Sequence, residues 1–193
     1  MKKKYNYECK YQKECQIEIE TKEDMDGPIF IYYKLYGFFQ NNRRFMKSKS
    51  QKQLMGEKTT LEEMKSDEDC DPIYTNADMG FKENLIDPLL SIDGTPLVSN
   101  QQAIPCGIMA KANFNDKFNT WKINEEEITI NKKNIAWDKD KKLFKNSEKS
   151  KQWIDIKDEH FIVWMRPTGL SDFRKLWGRI DRDLKKEKNY ILL

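Results

Sequence analysis

Bond-making or metal chemistry in this chain would have to rest on few residues. There are four cysteines, Cys9, Cys15, Cys70 and Cys106, and a single histidine, His160. Zinc sites use close pairs such as Cys-x-x-Cys, or supporting imidazoles, and Cys9 and Cys15 stand too far apart for that motif. One histidine leaves most base-and-orienter triads incomplete. At the start of an apolar run, His160 reads as a packed or strand-end residue. No Gly-rich phosphate loop and no Gly-x-Ser-x-Gly elbow is present. The acidic runs Glu125–Glu127 and Asp67–Asp69 read as solvated turns. Neither has the spaced ligands and glycine of an EF-hand. The expectation is a non-catalytic chain with no metal and no cofactor.

Cysteine chemistry therefore reduces to disulfides or buried thiols. Four cysteines allow three pairings, and free buried thiols are the plain alternative. Joining neighbours, Cys9 to Cys15 and Cys70 to Cys106, is the economical choice. Loop entropy gives roughly 2 kcal/mol for the short loop and roughly 4 kcal/mol for the long one. Disulfides would place the chain in an oxidising compartment.

One further stretch has recognition chemistry. Phe38–Lys49 interleaves Phe38, Phe39 and Phe45 with Arg43, Arg44, Lys47 and Lys49. Such a pattern can stack bases and grip phosphates, as in a single-stranded RNA-binding module. The same residues can instead pack their rings inward, leaving Arg43 and Arg44 for carboxylates or loop carbonyls. The balance of 35 basic against 32 acidic residues, net +3, gives no general support for nucleic acid.

The elements that must position these groups are β-rich. The 193 residues suffice for one domain, and a 12% aromatic content can fill a core with few, large side chains. Gln16–Lys22 alternates like a half-buried strand. Pro28–Tyr36 reads as a strand buried on most of its surface, after a Gly27-Pro28 turn. Phe38–Ser50 reads as loop or a short helical turn, and Thr60–Glu63 as a capping box starting one short helix. Asp67–Gln102 is a long excursion. Thr120–Ile130 and Asn134–Trp137 read as short strands paired near the Asn131-Lys-Lys turn. Asp138–Lys151 reads as a lysine-rich solvated loop. His160–Arg166 is expected as a strand. Ser171 is expected to cap a helix reaching about Glu187, with Phe173, Leu176, Trp177, Ile180 and Leu184 at helical spacing. The fold class is mainly β: an antiparallel β-sandwich-like domain with long decorated loops and a few short helices.

Four blocks in order carry a resemblance. They are Tyr32-Tyr33-Lys34-Leu35 with Phe38-Phe39-Gln40-Asn41-Asn42-Arg43-Arg44-Phe45 and Lys47-Ser48; Cys70-Asp71-Pro72 with Ile104-Pro105-Cys106-Gly107 and Asn113–Asp116; Ile135-Ala136-Trp137 with Asp138, Lys139 and Phe144; and Glu159–Arg166 with Leu170 and Phe173-Arg174-Lys175-Leu176. Together they resemble the ligand-effect modulator family, also called the cell division control protein 50 family.

The resemblance implies a disulfide-bonded, β-rich ectodomain covering 1–193, bracketed by two membrane helices that lie outside this chain. It implies a β-subunit in heterodimer with a type-IV P-type ATPase. That subunit supports the ATPase's folding, export from the endoplasmic reticulum and phospholipid flipping, on the lumenal or extracellular side of the endoplasmic reticulum, Golgi or plasma membrane. Protozoan relatives suggest an alternative, a flippase-like partner fused to a cyclase. The resemblance implies a Cys70–Cys106 bond and one early bridge, Cys9–Cys15. Phe39, Gln40, Asn41, Asn42, Arg43 and Arg44 become candidates for partner contact or loop organisation. Tyr32, Tyr33, Trp137, Phe161, Trp164, Arg166 and Phe173 are the expected motif core. Asn42 departs from the family's usual histidine. No Asn-x-Ser/Thr sequon occurs, so no N-glycan is expected.

Overall fold

The computed structural model describes residues 17–80, 90–118, 121–123, 126–186 and 189–192; for 17–19, 123 and 189–192 only the backbone is described. The chain divides into two compact units, each assembled from separated segments.

The first unit comprises Met1–Tyr33, Asn115–Lys133 and Leu176–Leu193. Its sheet contains β1 (Ile17–Glu20), β3 (Trp121–Ile123), β4 (Glu126–Ile128) and β6 (Asn189–Leu192), in the order β1-β6-β3-β4. Every pairing in it is antiparallel, with Glu20 opposite Asn189 and Trp121 opposite both Leu192 and Ile128. The buried rings of Tyr33 and Phe118 each meet Trp177 edge-on, at 6.3 and 4.9 Å between centroids. Edge-to-face contact sets the positive ring edge against the negative ring face. Asn131 and Arg179 exchange backbone hydrogen bonds at 2.8 and 3.0 Å. Gly178 permits that approach, because a Cβ there would strike Ile130 and the Asn131 carbonyl.

The second unit comprises Lys34–Phe114 and Asn134–Lys175. It holds α1 (Arg43–Lys47), α2 (Gln51–Leu54), α3 (Leu61–Ser66), α4 (Ile108–Lys111), α5 (Asp138–Leu143), a 3-10 turn (Lys149–Lys151) and α6 (Glu159–Met165). Helices this short have little stability of their own, so caps and packing decide them. Thr60 and Glu63 close the capping box on α3, as the sequence predicts. Met64, Cys70, Met79, Ala103 and Cys106 form a buried cluster around the Cys70–Cys106 disulfide. That bond closes a 36-residue separation. By loop entropy it contributes about 4 kcal/mol. Gln53, fully buried, laces the cluster together. Its Nε2 donates to the Ala103 carbonyl and its Oε1 accepts from the Cys106 N–H.

β2 (Ile29–Leu35) and β5 (Phe173–Ile180) form a second, two-stranded sheet. The division into units falls within both strands, after Tyr33 and after Lys175. The expectation of an antiparallel, β-rich chain with long loops and short helices is met. The sandwich arrangement remains an expectation.

Four local expectations are corrected. Glu159–Met165 is a helix, where His160–Arg166 reads as a strand. Asp158 accepts from the His160 and Phe161 N–H groups, and this cap outweighs the β propensity of Ile162 and Val163. Phe173–Ile180 is a strand, where a helix from Ser171 to about Glu187 is expected. Its burial alternates at first through Phe173, Lys175 and Trp177, and a buried lysine disguises that period. Asp138–Leu143 is helical rather than loop, with Asp138 and Asp140 in the first turn and Lys141 and Lys142 in the last. Finally, β3 pairs with β4, and residues 134–137 form no strand but lead into α5.

β2 is also less buried than its sequence suggests. Only Tyr33 is buried, while Phe30 and Tyr32 are about half exposed. The early bridge, Cys9–Cys15, lies outside the described residues.

Candidate partner-contact site

The block Phe38–Arg44 belongs to the second unit and divides inward from outward by residue. Phe38 turns in. Its ring meets Trp164 and Phe45 at 5.5 Å and Phe173 at 6.2 Å, all edge-on. The Trp164 indole donates to the Met109 carbonyl at 2.7 Å, so α6 is fastened to α4. Gln40 is fully buried, and its Nε2 reaches the Trp164 carbonyl at 3.4 Å. Asn42 caps α1, its side chain accepting from the Arg44 and Phe45 N–H groups.

Phe39, by contrast, is 62% exposed. Arg43 and Arg44 are exposed too. Among the described residues their guanidinium groups make no ion pair or hydrogen bond.

A second loop holds the first in place. The Phe38 N–H donates to the Ser171 carbonyl at 3.0 Å, the Gly37 N–H to Asp172 Oδ1 at 2.9 Å, and Asn41 Nδ2 to the Gly169 carbonyl at 3.1 Å. This second loop carries Leu170, 72% exposed. Phe39 and Leu170 therefore sit on two mutually bonded loops, and both face solvent.

Lys175 anchors the second loop from beneath. It is 5% exposed, and its Nζ donates to the carbonyls of Val163, Trp164 and Arg166 at 2.8, 2.6 and 2.6 Å. These carbonyls close the C-terminus of α6, where the helix leaves acceptors without intrahelical donors. Burial, reinforced by the Arg166 charge, pushes the Lys175 amine down to about 7. The three acceptors match the three N–H donors of the ammonium form.

Arg166 turns outward. Its guanidinium stacks 3.7 Å from the centroid of the Trp137 ring, which is 64% exposed, and pairs with Asp140 at 3.0 Å. Glu159, at the other end of α6, holds the segment leading to Trp137. Its carboxylate accepts N–H bonds from Asn134, Ile135 and Ala136 at 2.8 to 3.0 Å. Burial raises the Glu159 carboxyl, but the Ala136, Asn134 and Ile135 donors outweigh it and hold the group below its ordinary value.

Another pair of family blocks meets at α4. Ser48 is buried, its hydroxyl accepting from the Ile108 N–H and its carbonyl from the Met109 N–H. Gly107 adopts φ +98°, and a Cβ there would collide with the Ser48 carbonyl group. Only glycine fits both demands.

The expected motif core thus has two parts. Tyr33, Phe161, Trp164 and Phe173 are buried; Tyr32, Trp137 and Arg166 lie at the surface. Glu159 and Lys175 are the organising residues that sequence reasoning passes over. Their only signal is their place inside the ordered blocks. His160, beside the Asp158 cap, packs 3.4 Å from that carboxylate. The described residues contain no group of three or more His, Cys, Asp or Glu side chains placed to hold a metal. No helix among them is long and apolar enough to cross a membrane. What the arrangement offers is a stiffened pair of loops displaying apolar and cationic groups.

The chain matches the LEM3 (ligand-effect modulator 3) family / CDC50 family over residues 1–192. It belongs to this family. The match spans every block above, so residues 38–44 and 159–176 are seen here as a CDC50-family chain folds them. Among its relatives, ALA-interacting subunit 3 of Arabidopsis thaliana is 33% identical over 90% of this chain and 46% of its own length. Cell cycle control protein 50A of Mus musculus is 29% identical over 87% of this chain and 49% of its own. Cell cycle control protein 50C of Macaca fascicularis is 31% identical over 87% and 50%. The chain spans about half the length of the curated relatives it matches.

Proposed function

We propose that this chain is the exoplasmic part of a non-catalytic β-subunit that binds a type-IV P-type ATPase and supports its folding, export from the endoplasmic reticulum and phospholipid flipping. Family membership carries the reading, and the name ALA-interacting subunit, borne by a relative, agrees with a binding role. The loop geometry favours contact over chemistry. Phe39 on the loop and Arg43 and Arg44 at the start of α1 are exposed, while Phe38, Gln40 and Asn42 fix the segment from within. Preorganisation of this kind lowers the ordering cost of association. Exposed aromatic and arginine groups are the types that most often dominate interfaces. The Cys70–Cys106 bond suits an oxidising compartment. The RNA-binding alternative is weakened, because Phe38 is spent on the aromatic cluster and is not free to stack on bases.

Co-expression of the complete membrane-anchored protein with its ATPase tests the reading. The double variant Arg43→Ala/Arg44→Ala should fold normally, judged by its melting curve, yet recover less ATPase in a pull-down. Undiminished recovery removes these arginines from the contact. Failure of the unmutated protein to recover any P-type ATPase removes the function, and recovery of a cyclase-fused one selects that alternative.

A further inference from the structure

The segment from α5 to Lys157 carries an excess of positive charge that the contact site does not use. A cleft of about 490 Å³ opens here, lined by Lys141, Lys142, Lys145, Lys149 and Lys157 over the Phe144 ring, with no carboxylate in its wall. The concavity is open to solvent and lined mainly by lysine, so it suits a charged ligand held from one side rather than an enclosed apolar one.

Every carboxylate between Asp138 and Asp155 is already engaged. Asp138 pairs with Lys141 at 2.8 Å, and Asp140 with Arg166 at 3.0 Å. Glu148 pairs with both Lys58 and Lys151. Asp155 accepts from Asn146 Nδ2 and the Lys157 N–H. Lys142, Lys145, Lys149 and Lys157 are left over, exposed and without an ion pair among the described residues. Four cations around one concavity repel one another, and a shared anion removes that repulsion.

The backbone beneath them is fixed. Asn146 Oδ1 accepts from Gln152 Nε2 and the Ile156 N–H, both at 3.0 Å, and the Ser147 N–H donates to Gln152 Oε1 at 2.6 Å. Gln152 is fully buried. The Lys145 N–H donates to the Leu54 carbonyl at 2.9 Å. Lys145, Lys149 and Lys157 therefore project from an ordered frame.

We propose that this cleft binds an anion carrying clustered phosphate groups. All its cations are lysines, compact point charges suited to phosphate, whereas planar carboxylates are better matched by the arginine fork. The ligand is a free polyphosphate-type anion or the headgroup of a lipid bearing more than one phosphate. The proposal stands apart from the ATPase reading and needs no ATPase for its test.

The test titrates the full chain with inorganic pyrophosphate by calorimetry at low and raised salt. In parallel, the chain is floated with vesicles of phosphatidylcholine, alone or containing a phosphatidylinositol bisphosphate. The variant K142Q/K145Q/K149Q/K157Q is compared with the control K22Q/K47Q/K117Q/K133Q, which removes equal charge elsewhere. Saturable pyrophosphate binding is expected. It should weaken about tenfold in the cleft variant and with salt, and little in the control. Pyrophosphate binding without flotation assigns a free anion. Flotation on the phosphorylated vesicles that pyrophosphate competes away assigns the headgroup. No binding to either probe overturns the proposal. So does equal weakening in both variants, or binding of polyglutamate alone.

Discussion

The Lys175 Nζ lies 2.6 Å from the carbonyl oxygen of Trp164, a lysine of strand β5 closing the C-terminal end of helix α6. Lys175→Met should leave three carbonyls without their donor. A buried acceptor so abandoned costs about 1–3 kcal/mol, so the variant should lose at least about 2 kcal/mol in urea denaturation. Lys175→Arg should not recover it, because a planar fork cannot occupy a socket shaped for three divergent donors. A loss below about 0.5 kcal/mol in the methionine variant would count against the anchoring role.

Glu159 gives stability a pH dependence. Its carboxyl is held low in the folded chain, so the unfolded chain binds the proton more readily. The stability it contributes is therefore fully present above the ordinary glutamate value of about 4.5. It is lost as pH falls through the lower folded value. Glu159→Gln should flatten the acid limb of the stability curve relative to the unmutated chain, and lower stability at neutral pH. Parallel acid limbs in the two proteins would contradict this.

Gly107 should tolerate no side chain. Gly107→Ala combines φ +98° with a collision at the Ser48 carbonyl, so the loss should exceed about 2 kcal/mol. Gly94→Ala, at φ +86° with nothing within 4 Å of a Cβ, serves as the comparison and should cost less. Thermal melts of the two variants, run side by side, measure the steric part alone.

Much of this was legible in the residues, and the misses have separate physical causes. Capping survives translation from sequence to structure, because the Thr60–Glu63 box is local and needs no tertiary partner. Period does not. Phe173, Leu176, Trp177 and Ile180 fit a helical spacing, and the deciding residue was Lys175, which polarity assigns to the surface and three carbonyls draw inside. The Ile162-Val163 pair argues for a strand until Asp158 is recognised as a cap. The candidate site was visible as ordered blocks. Which side of each block faces solvent was not, since Phe38 and Phe39 are identical in kind and opposite in placement. The lysine cleft was invisible as a site, because concavity comes from the fold and not from composition.

The order of strands in the four-stranded sheet has a consequence for how the chain is made. β6, near the end of the sequence, lies between β1 and β3. β1 leaves the ribosome ahead of β3, β4 and β5 and gains its neighbour only when β6 has followed them. At about 5–20 residues per second that wait is roughly 10–30 s. Throughout it, the edge of β1 that will meet β6 is open to chaperones, to an oxidase, or to the wrong strand. A chain threaded this way keeps its sheet open across nearly the whole of the described sequence, until β6 arrives.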